Sequence, residues 1–216
     1  MNENLKVSTI ITTYRRADML KRAIDSVLNQ TYSNIEVIVV DDNDEKSEDR
    51  KNTEEIMTSY ANNPKVKYIK HKVNMNGAAA RNTGIKNSTG EIVCFLDDDD
   101  WYLETKIEKQ LEFLCKNKDY KAVYCGWHRN GKIVIPKRKG NLGFELLSGD
   151  SLIYTNTIMM WKNILSIVVN ISFIWVCVDY LKNTFKKLNR TKKIITLPLY
   201  LILALWSIYS LIINGI

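Results

Sequence analysis

Residues 90–101 read G-E-I-V-C-F-L-D-D-D-D-W, and they give the strongest indication of the fold class. Its first half is a short apolar run that predicts a buried strand, and the run ends directly in four carboxylates. Residues 35–42, I-E-V-I-V-V-D-D, repeat the pattern. Ligands of open parallel sheets bind outside the carboxyl ends of the strands. The two acid clusters therefore predict a site at one edge of an α/β sheet.

Helical and strand-like patterns alternate on both sides of these two runs. Besides residues 35–40 and 91–96, strands are predicted at Val7–Thr13, Val66–Lys70 and 122–127. Helices are predicted at 18–29 with Asp18 as N-cap, and at 47–61, 77–87 and 103–116. Asn130-Gly131 predicts a hairpin turn before a strand at 132–135. This alternation is typical of a Rossmann-like, mainly parallel sheet with helices on both faces.

The positive charge of the chain is concentrated near its end. The 216 residues include 31 Lys and Arg against 24 Asp and Glu, a net charge of +7. Residues 151–216 hold seven of the basic side chains and one acid, Asp179, so residues 1–150 are nearly neutral. A basic face on the main domain is therefore disfavoured, and we expect no nucleic-acid partner.

Several common classes of site are also disfavoured. The four cysteines are widely separated without a C-x-x-C, and only two histidines occur, which argues against zinc and against a disulfide framework. The first strand is not followed by G-x-G-x-x-G, and G-x-x-x-x-G-K-[ST] is absent, which argues against dehydrogenases and P-loop NTPases. Because the chain lacks a glycine-rich loop whose amides could bind phosphates, a divalent cation would have to neutralise most of the charge of a bound diphosphate. Asp97 and Asp99 could share Mg²⁺ or Mn²⁺, the alternative being a solvated turn.

The end of the chain has a different character. Residues 194–216 form a 23-residue run without charge, long enough to cross a bilayer as a C-terminal hydrophobic helix. Basic residues next to a span mark its cytosolic end. The six basic residues within 182–193 therefore predict that the main domain lies in the cytosol. The alternative is that residues 194–216 form a buried core helix. Residues 163–178 are uncharged but short for a span, which favours a re-entrant, interfacial or core-packed segment. With no signal peptide, we expect a protein on the cytoplasmic face of the cell membrane with a single C-terminal span.

Five ordered blocks of the sequence resemble the family 2 glycosyltransferases. They are V-S-T-I-I-T-T-Y-R-R (7–16), A-I-D-S-V-L-N-Q-T-Y (23–32), I-E-V-I-V-V-D-D (35–42), N-G-A-A-A-R-N-T-G-I (76–85) and G-E-I-V-C-F-L-D-D-D-D-W (90–101). The resemblance covers residues 5–130, with a weaker likeness over 144–161. It implies a GT-A fold, a nucleotide-diphosphate sugar as donor and inversion at the anomeric carbon.

The resemblance also implies a division of the chain. Residues 1–161 correspond to a GT-A domain with a shortened acceptor half. Residues 162–193 correspond to a degraded acceptor-side segment and the basic linker, and residues 194–216 are the predicted transmembrane helix.

Donor-binding roles follow from the matching positions. Thr12 and Tyr14 match residues that line the nucleobase pocket. Asp42 matches the acid that hydrogen-bonds the base, whereas Asp41 braces the turn. Arg81 matches a basic position near the donor, and a guanidinium suits a diphosphate.

The acids after the fourth strand match the D-x-D motif of the family. The resemblance assigns Asp97 and Asp98 to the ribose and phosphate, and Asp99 to the metal, with Asp97 able to share the cation. The family's general base lies in an E-D pair after a G-G-F-D-like segment, and neither occurs beyond Asp100. Asp179 is the only acid after Asp150 and is therefore the candidate catalytic base.

This departure from the family pattern leaves three hypotheses open. In the first, the protein is an active, metal-dependent glycosyltransferase that moves a sugar, with UDP as the expected nucleotide, to a glycan or lipid-linked acceptor. In the second, it is a truncated or inactive pseudoenzyme that binds a nucleotide sugar at the membrane. In the third, it is a structural membrane-tethered module without nucleotide binding.

Overall fold

The computed structural model describes residues 4–135, residue 140 and residues 154–164. Contacts between Cα atoms divide the chain into two units, Met1–Lys162 and Asn163–Ile216. The elements described for the first unit are, in chain order, β1 (Val7–Thr13), α1 (Ala17–Leu28), β2 (Ile35–Asp41), α2 (Glu48–Thr58), β3 (Val66–Lys70), α3 (Asn76–Asn87), β4 (Ile92–Asp97), α4 (Lys106–Lys116), β5 (Ala122–Tyr124), β6 (Trp127–Arg129), β7 (Lys132–Val134), a 3₁₀ turn (Thr155–Thr157) and β8 (Ile158–Trp161).

Six strands form one sheet in the order β3-β2-β1-β4-β8-β5. The first four are parallel to one another, and β8 is antiparallel to both of its neighbours. The mainly parallel α/β sheet predicted from the sequence is therefore confirmed. Strand β8 is not predicted by the sequence pattern, because four residues that pair with distant strands carry no local signature.

The central strands are buried from both sides by helices. Ile11 of β1 belongs to a hydrophobic core that also contains Leu20 of α1 and Leu111 of α4. Successive side chains of a strand point to opposite faces. Ile10 accordingly faces the other side, where Gly84 of α3 packs against it. Helices therefore cover both faces, as predicted.

The parallel register brings the functional ends of the strands together. Thr12 of β1 lies opposite Asp97 of β4, and Thr13 lies opposite Asp41 of β2. Both acid runs consequently leave the sheet at the same edge, on either side of the segment that follows β1.

The first helix begins differently from its prediction. Arg16 occupies the N-cap position without a side-chain capping bond, and Asp18 lies inside the first turn. The predicted N-cap at Asp18 is therefore wrong. The carboxylate of Asp18 still lies near the positive end of the helix dipole, which is why the local pattern resembles a cap.

The segment after α4 also differs in detail. Strand β5 ends at Tyr124 rather than at residue 127, because Trp127 pairs with Val134 in the β6–β7 hairpin. The predicted turn at Asn130-Gly131 is confirmed, with both residues at positive φ (51° and 75°) as a two-residue hairpin turn requires.

The predicted membrane segments and the candidate base fall outside the described residues. Residues 165–216 contain the basic linker, the predicted span at 194–216 and Asp179. Among the residues that the structure describes, none of the helices has both the length and the hydropathy to span a bilayer.

Helix α3 lies unusually close to the sheet at one point. A Cβ atom placed on Gly84 would lie 2.3 Å from Cγ2 of Ile10, within the core of the domain. Ile10 is completely buried and cannot move aside. The missing side chain at residue 84 therefore sets the distance between α3 and β1.

We predict that Gly84→Ala lowers the free energy of unfolding by about 1–3 kcal/mol, because the extra methyl group overpacks this contact. Gly77→Ala in the same helix is the matched control. Its Cβ would meet nothing closer than Arg81 Nη1 at 3.4 Å, so it should be neutral or stabilising by up to about 1 kcal/mol. Urea denaturation measures both, and equal effects of the two variants would contradict the packing argument.

Glu36 ties three strands together at the edge opposite the acid clusters. Its Oε1 accepts hydrogen bonds from Ser8 Oγ (2.5 Å) and from the Thr89 and Gly90 amides (2.6 and 3.2 Å). Its Oε2 lies 3.1 Å from Lys6 Nζ. Burial acts to raise the pKa of Glu36, but the hydrogen bonds from Ser8, Thr89 and Lys6 outweigh it and lower the pKa from an ordinary 4.5 to about 2.

We predict that Glu36→Gln destabilises the fold by about 1–3 kcal/mol at pH 7, the usual range for a charged hydrogen-bond acceptor. A lowered folded-state pKa gives stability that is fully present above 4.5 and lost as the pH falls toward 2. The difference from the unmodified protein should therefore shrink over that window in urea titrations. The exposed Glu55→Gln is the control, and a pH-independent difference at position 36 would refute the charge argument.

Candidate functional site

Three carboxylates meet where β4 ends. One oxygen from each of Asp97, Asp99 and Asp100 lies within 4.8 Å of the others. Carboxylate oxygens are the ligands that Mg²⁺ and Mn²⁺ prefer, and a single cation can bridge such a group. The structure thus brings together the predicted pair Asp97 and Asp99 and adds Asp100, so the donor set fits a divalent cation.

Asp98 points away from this cluster into the protein. Its side chain is completely buried, its Oδ2 accepts the Tyr14 amide at 3.3 Å, and its Oδ1 lies 2.8 Å from Arg16 Nη2. Asp98 therefore joins the end of β4 to the segment after β1. The assignment of Asp98 to the ribose or phosphate remains a prediction.

The acids at this edge repel one another. Burial raises the pKa of Asp100 and the charges of Asp99 and Asp97 raise it further, against lowering by the hydrogen bond from Asn156 and by the charge of Arg22. Burial likewise raises the pKa of Asp98, with a further contribution from Asp99, against lowering by Thr13 and Arg16. A bound cation would relieve this repulsion, since nearby positive charge favours the ionised form of a carboxyl group.

Three arginines partly neutralise the negative charge of the cluster. Arg81 Nη2 lies 2.6 Å from Asp97 Oδ1, and Arg16 Nη1 lies 2.5 Å from Asp99 Oδ2. Arg22 Nη2 donates to the backbone oxygen of Asp99 at 2.7 Å. Arg81 was singled out by the sequence, whereas Arg16 and Arg22 were not. The position of Arg16 in the short segment between β1, which ends at the site, and α1 is the signal that could have identified it.

Asn156, from a distant part of the chain, forms hydrogen bonds to two residues of the cluster. Its Nδ2 donates to Asp100 Oδ2, and its Oδ1 accepts the Asp97 amide at 3.1 Å. It lies in the 3₁₀ turn that precedes β8. Nothing in the local sequence marks Asn156, because its place depends on the pairing of β8 with β4.

Asp42 organises the loop that leads into α3. Its carboxylate is almost fully buried, and its Oδ1 lies 2.7 Å from His71 Nδ1 and accepts the Met75 amide at 2.8 Å. Its Oδ2 accepts from Asn74 Nδ2 at 3.0 Å. His71 Nε2 in turn lies 2.9 Å from Thr83 Oγ1, which links the loop to α3. The contact of Asp42 with a nucleobase remains a prediction.

Thr12 and Tyr14 lie at the end of β1, as the sequence indicates. The Arg15 guanidinium stacks over the Tyr14 ring, with its carbon 4.8 Å from the ring centre. Arg15 itself has a φ of 59°, in the left-handed region that non-glycine residues seldom adopt. Its amide donates to Asn43 Oδ1 at 2.9 Å, which fixes this turn. Such conformations are often found at functional sites, where surrounding contacts impose them.

A buried ion pair holds the turn after β2. Asp41 Oδ2 lies 3.0 Å from Arg50 Nε, and Tyr68 Oη donates to the same carboxylate oxygen at 2.5 Å. Arg50 Nη2 also donates to the backbone oxygens of Asp41, Asn43 and His71. Burial raises the pKa of Asp41 and that of Tyr68. Asp41 braces the turn, as the family resemblance implies, whereas nothing in the sequence pattern indicates Arg50.

A family model described as glycosyl transferase family 2 matches residues 8–185 of the chain. An uncharacterized glycosyltransferase of Rickettsia bellii is 43% identical over 112 residues, which cover 52% of this chain and 15% of that protein. The chain spans less than half the length of the curated relatives it matches.

Solved structures share the fold. Staphylococcus aureus TarS 1-349 in complex with UDP-GlcNAc superposes with a TM-score of 0.60 at 22% identity, covering 75% of this chain and 47% of that one. The mannosyltransferase PcManGT from Pyrobaculum calidifontis, in complex with GDP-Man and Mn²⁺, gives a TM-score of 0.57 at 20% identity, covering 76% and 47%. These likenesses confirm the predicted α/β GT-A fold.

We predict that Arg50→Met lowers the free energy of unfolding by about 3–5 kcal/mol, because it leaves the Asp41 carboxylate buried without its counter-charge. Arg15→Met is the matched control. It removes an exposed guanidinium near the same turn and should change stability by less than about 0.5 kcal/mol. The double variant Arg50→Met with Asp41→Asn should recover part of the loss in urea denaturation. An effect of Arg50→Met no larger than that of the control would rule out the brace.

Proposed function

The chain belongs to glycosyl transferase family 2, and we propose that it transfers a sugar from a nucleotide-diphosphate sugar to an acceptor. The observation that carries this proposal is the cluster of Asp97, Asp99 and Asp100, with Arg16 and Arg81 beside it, at the carboxyl edge of the sheet. Cations and carboxylates in this arrangement suit a diphosphate with a divalent metal.

The donor is proposed to be a UDP-sugar. Thr12, Tyr14 and Asp42, at the ends of β1 and β2, are proposed to line the base pocket, and Asp97 and Asp98 are proposed to contact the ribose and phosphate. Support comes from the fold shared with TarS, whose structure holds UDP-GlcNAc. The fold shared with a GDP-mannose-bound mannosyltransferase makes GDP the competing nucleotide.

Asp97 and Asp99, with Asp100, are proposed to hold Mn²⁺ or Mg²⁺. A bound divalent cation supplies charge that stabilises the leaving diphosphate. Arg81 is suited to assist, because its guanidinium is partly exposed and already lies at Asp97. It can form two parallel hydrogen bonds to phosphate oxygens.

The transfer itself is proposed to invert the anomeric carbon. The acceptor hydroxyl oxygen forms a bond to that carbon as the bond to the diphosphate oxygen breaks, and a carboxylate takes the hydroxyl proton. Asp179 is the proposed base, and a glycan or lipid-linked molecule is the proposed acceptor. Attachment at the cytoplasmic face of the membrane through residues 194–216 belongs to the same proposal.

A second candidate function is nucleotide-sugar binding without transfer. The observation that favours it is the sequence beyond Asp100, which lacks the E-D pair expected of the base. The third reading, a purely structural module, requires that no nucleotide binds. These candidates differ in what they predict for binding and turnover.

We predict that UDP binds in the presence of Mn²⁺ and that Asp99→Asn weakens this binding at least tenfold, because one metal carboxylate is lost. Isothermal titration calorimetry of UDP at fixed Mn²⁺ measures the change, which corresponds to about 1.4 kcal/mol. The exposed Asp119→Asn is the control and should bind as the unmodified protein does. Equal affinities of the Asp99 and Asp119 variants would overturn the site assignment, and no binding by any of them would favour the structural module.

The same proteins distinguish transfer from binding alone. For an active enzyme, release of UDP from UDP-GlcNAc should require Mn²⁺, and Asp179→Asn should abolish it while UDP affinity stays unchanged. Binding without turnover in the unmodified protein, under a range of acceptors, would favour the second candidate.

A further inference from the structure

Arg16 bridges two acids that have different surroundings. Its Nη2 lies 2.8 Å from Oδ1 of the fully buried Asp98, and its Nη1 lies 2.5 Å from Oδ2 of Asp99, which is 41% exposed. One end of the guanidinium is thus anchored inside the protein. The other end is paired with a carboxylate that belongs to the three-acid cluster.

This second contact conflicts with metal binding at the cluster. A guanidinium and a divalent cation on the same carboxylate repel each other and share a limited negative charge. Arg16 is the residue that partially neutralises Asp99 in the structure, and its side chain is 44% exposed, so it has room to move. A divalent cation bound at Asp99 would therefore compete with Arg16 for this carboxylate.

The neighbouring arginines differ from Arg16 in this respect. Arg22 donates to the backbone oxygen of Asp99, so its movement would free no carboxylate. Arg81 pairs with Asp97 and already has a place in the proposed donor site. Arg16 alone, among the arginines described at the cluster, links a buried carboxylate to an exposed one.

We propose that Arg16 is an exchangeable counter-cation of the donor site. Without nucleotide it holds Asp99 and weakens binding of the metal. When metal and nucleotide diphosphate arrive together, Arg16 releases Asp99 to the metal, keeps its contact with Asp98, and pairs with a diphosphate oxygen. Metal and nucleotide then strengthen each other's binding by the same factor, as linkage requires. This inference rests on the proposed function, because it needs the metal at Asp99.

The test is the affinity of the 216-residue chain for Mn²⁺ alone and for UDP, measured by electron paramagnetic resonance of free Mn²⁺ and by calorimetry. We expect Arg16→Gln to bind Mn²⁺ alone about three- to tenfold more tightly, because Asp99 is free. We expect it to bind UDP about tenfold more weakly at saturating Mn²⁺, because a diphosphate partner is lost. The factor by which UDP raises Mn²⁺ affinity should fall accordingly.

Arg22→Gln is the matched control, since it removes the same charge beside Asp99 without freeing a carboxylate. Its Mn²⁺ affinity should rise less than that of Arg16→Gln. Arg16→Lys, which keeps the charge but cannot bridge both acids, should bind Mn²⁺ with intermediate affinity and serves as the test if the glutamine variant fails to fold.

The outcomes separate the two proposals. Mn²⁺ affinity of Arg16→Gln no higher than that of Arg22→Gln, with binding still dependent on Asp99, would overturn the exchange and leave the proposed function standing. If the glutamine variant fails to fold, Mn²⁺ affinity of Arg16→Lys no higher than that of the unmodified protein would overturn it in the same way. Mn²⁺ binding that is unchanged in Asp99→Asn would overturn both.

Discussion

The buried pair of Arg50 and Asp41 is the interaction on which the geometry of the sheet edge depends. Loop carbonyls lack the partners that a strand ladder provides, and a buried carbonyl without a partner is costly. Arg50 Nη2 donates to two of them, at Asn43 and His71, and also to the Asp41 oxygen at the end of β2, which already accepts the His71 amide. The Asn43 side chain, positioned in this way, accepts a hydrogen bond from the Arg15 amide and so fixes the turn after β1. One guanidinium therefore positions the ends of β1, β2 and β3 relative to one another.

Around this frame, the edge is organised by a balance of charge. Because β2 and β4 are parallel, the carboxylates that follow them lie at the same edge. Arginines from the segment after β1, from α1 and from α3 lie beside these carboxylates and partly neutralise their charge. The buried acids, Asp41 and Asp98, are tied to guanidiniums and serve the architecture. Asp97 and Asp99 are more exposed, and each of them is also paired with an arginine, Arg81 and Arg16 respectively.

The structural features that the sequence predicts are those that depend on a local pattern of residues. The apolar runs that end in acids located β2, β4 and the clusters, and Asn130-Gly131 located the hairpin. What it does not predict depends on distant partners. Asn156 reaches Asp97 only because β8 pairs with β4, and Arg50 reaches Asp41 from the far side of a loop. A polar helix such as α2 gives no sign that one of its arginines is buried.

The order of strands has a consequence for how the chain assembles. In the sheet, β8 lies between β4 and β5, although β5 precedes it by some thirty residues in the chain. During synthesis the four parallel strands can associate as they emerge, but β5 has no neighbour in this sheet until residues 158–161 arrive. Asn156 reaches the acids in the same event. Pairings of such long sequence separation form slowly because the loop must close first. The edge that carries the Asp97, Asp99 and Asp100 cluster is thus completed late, by the segment that also finishes the sheet.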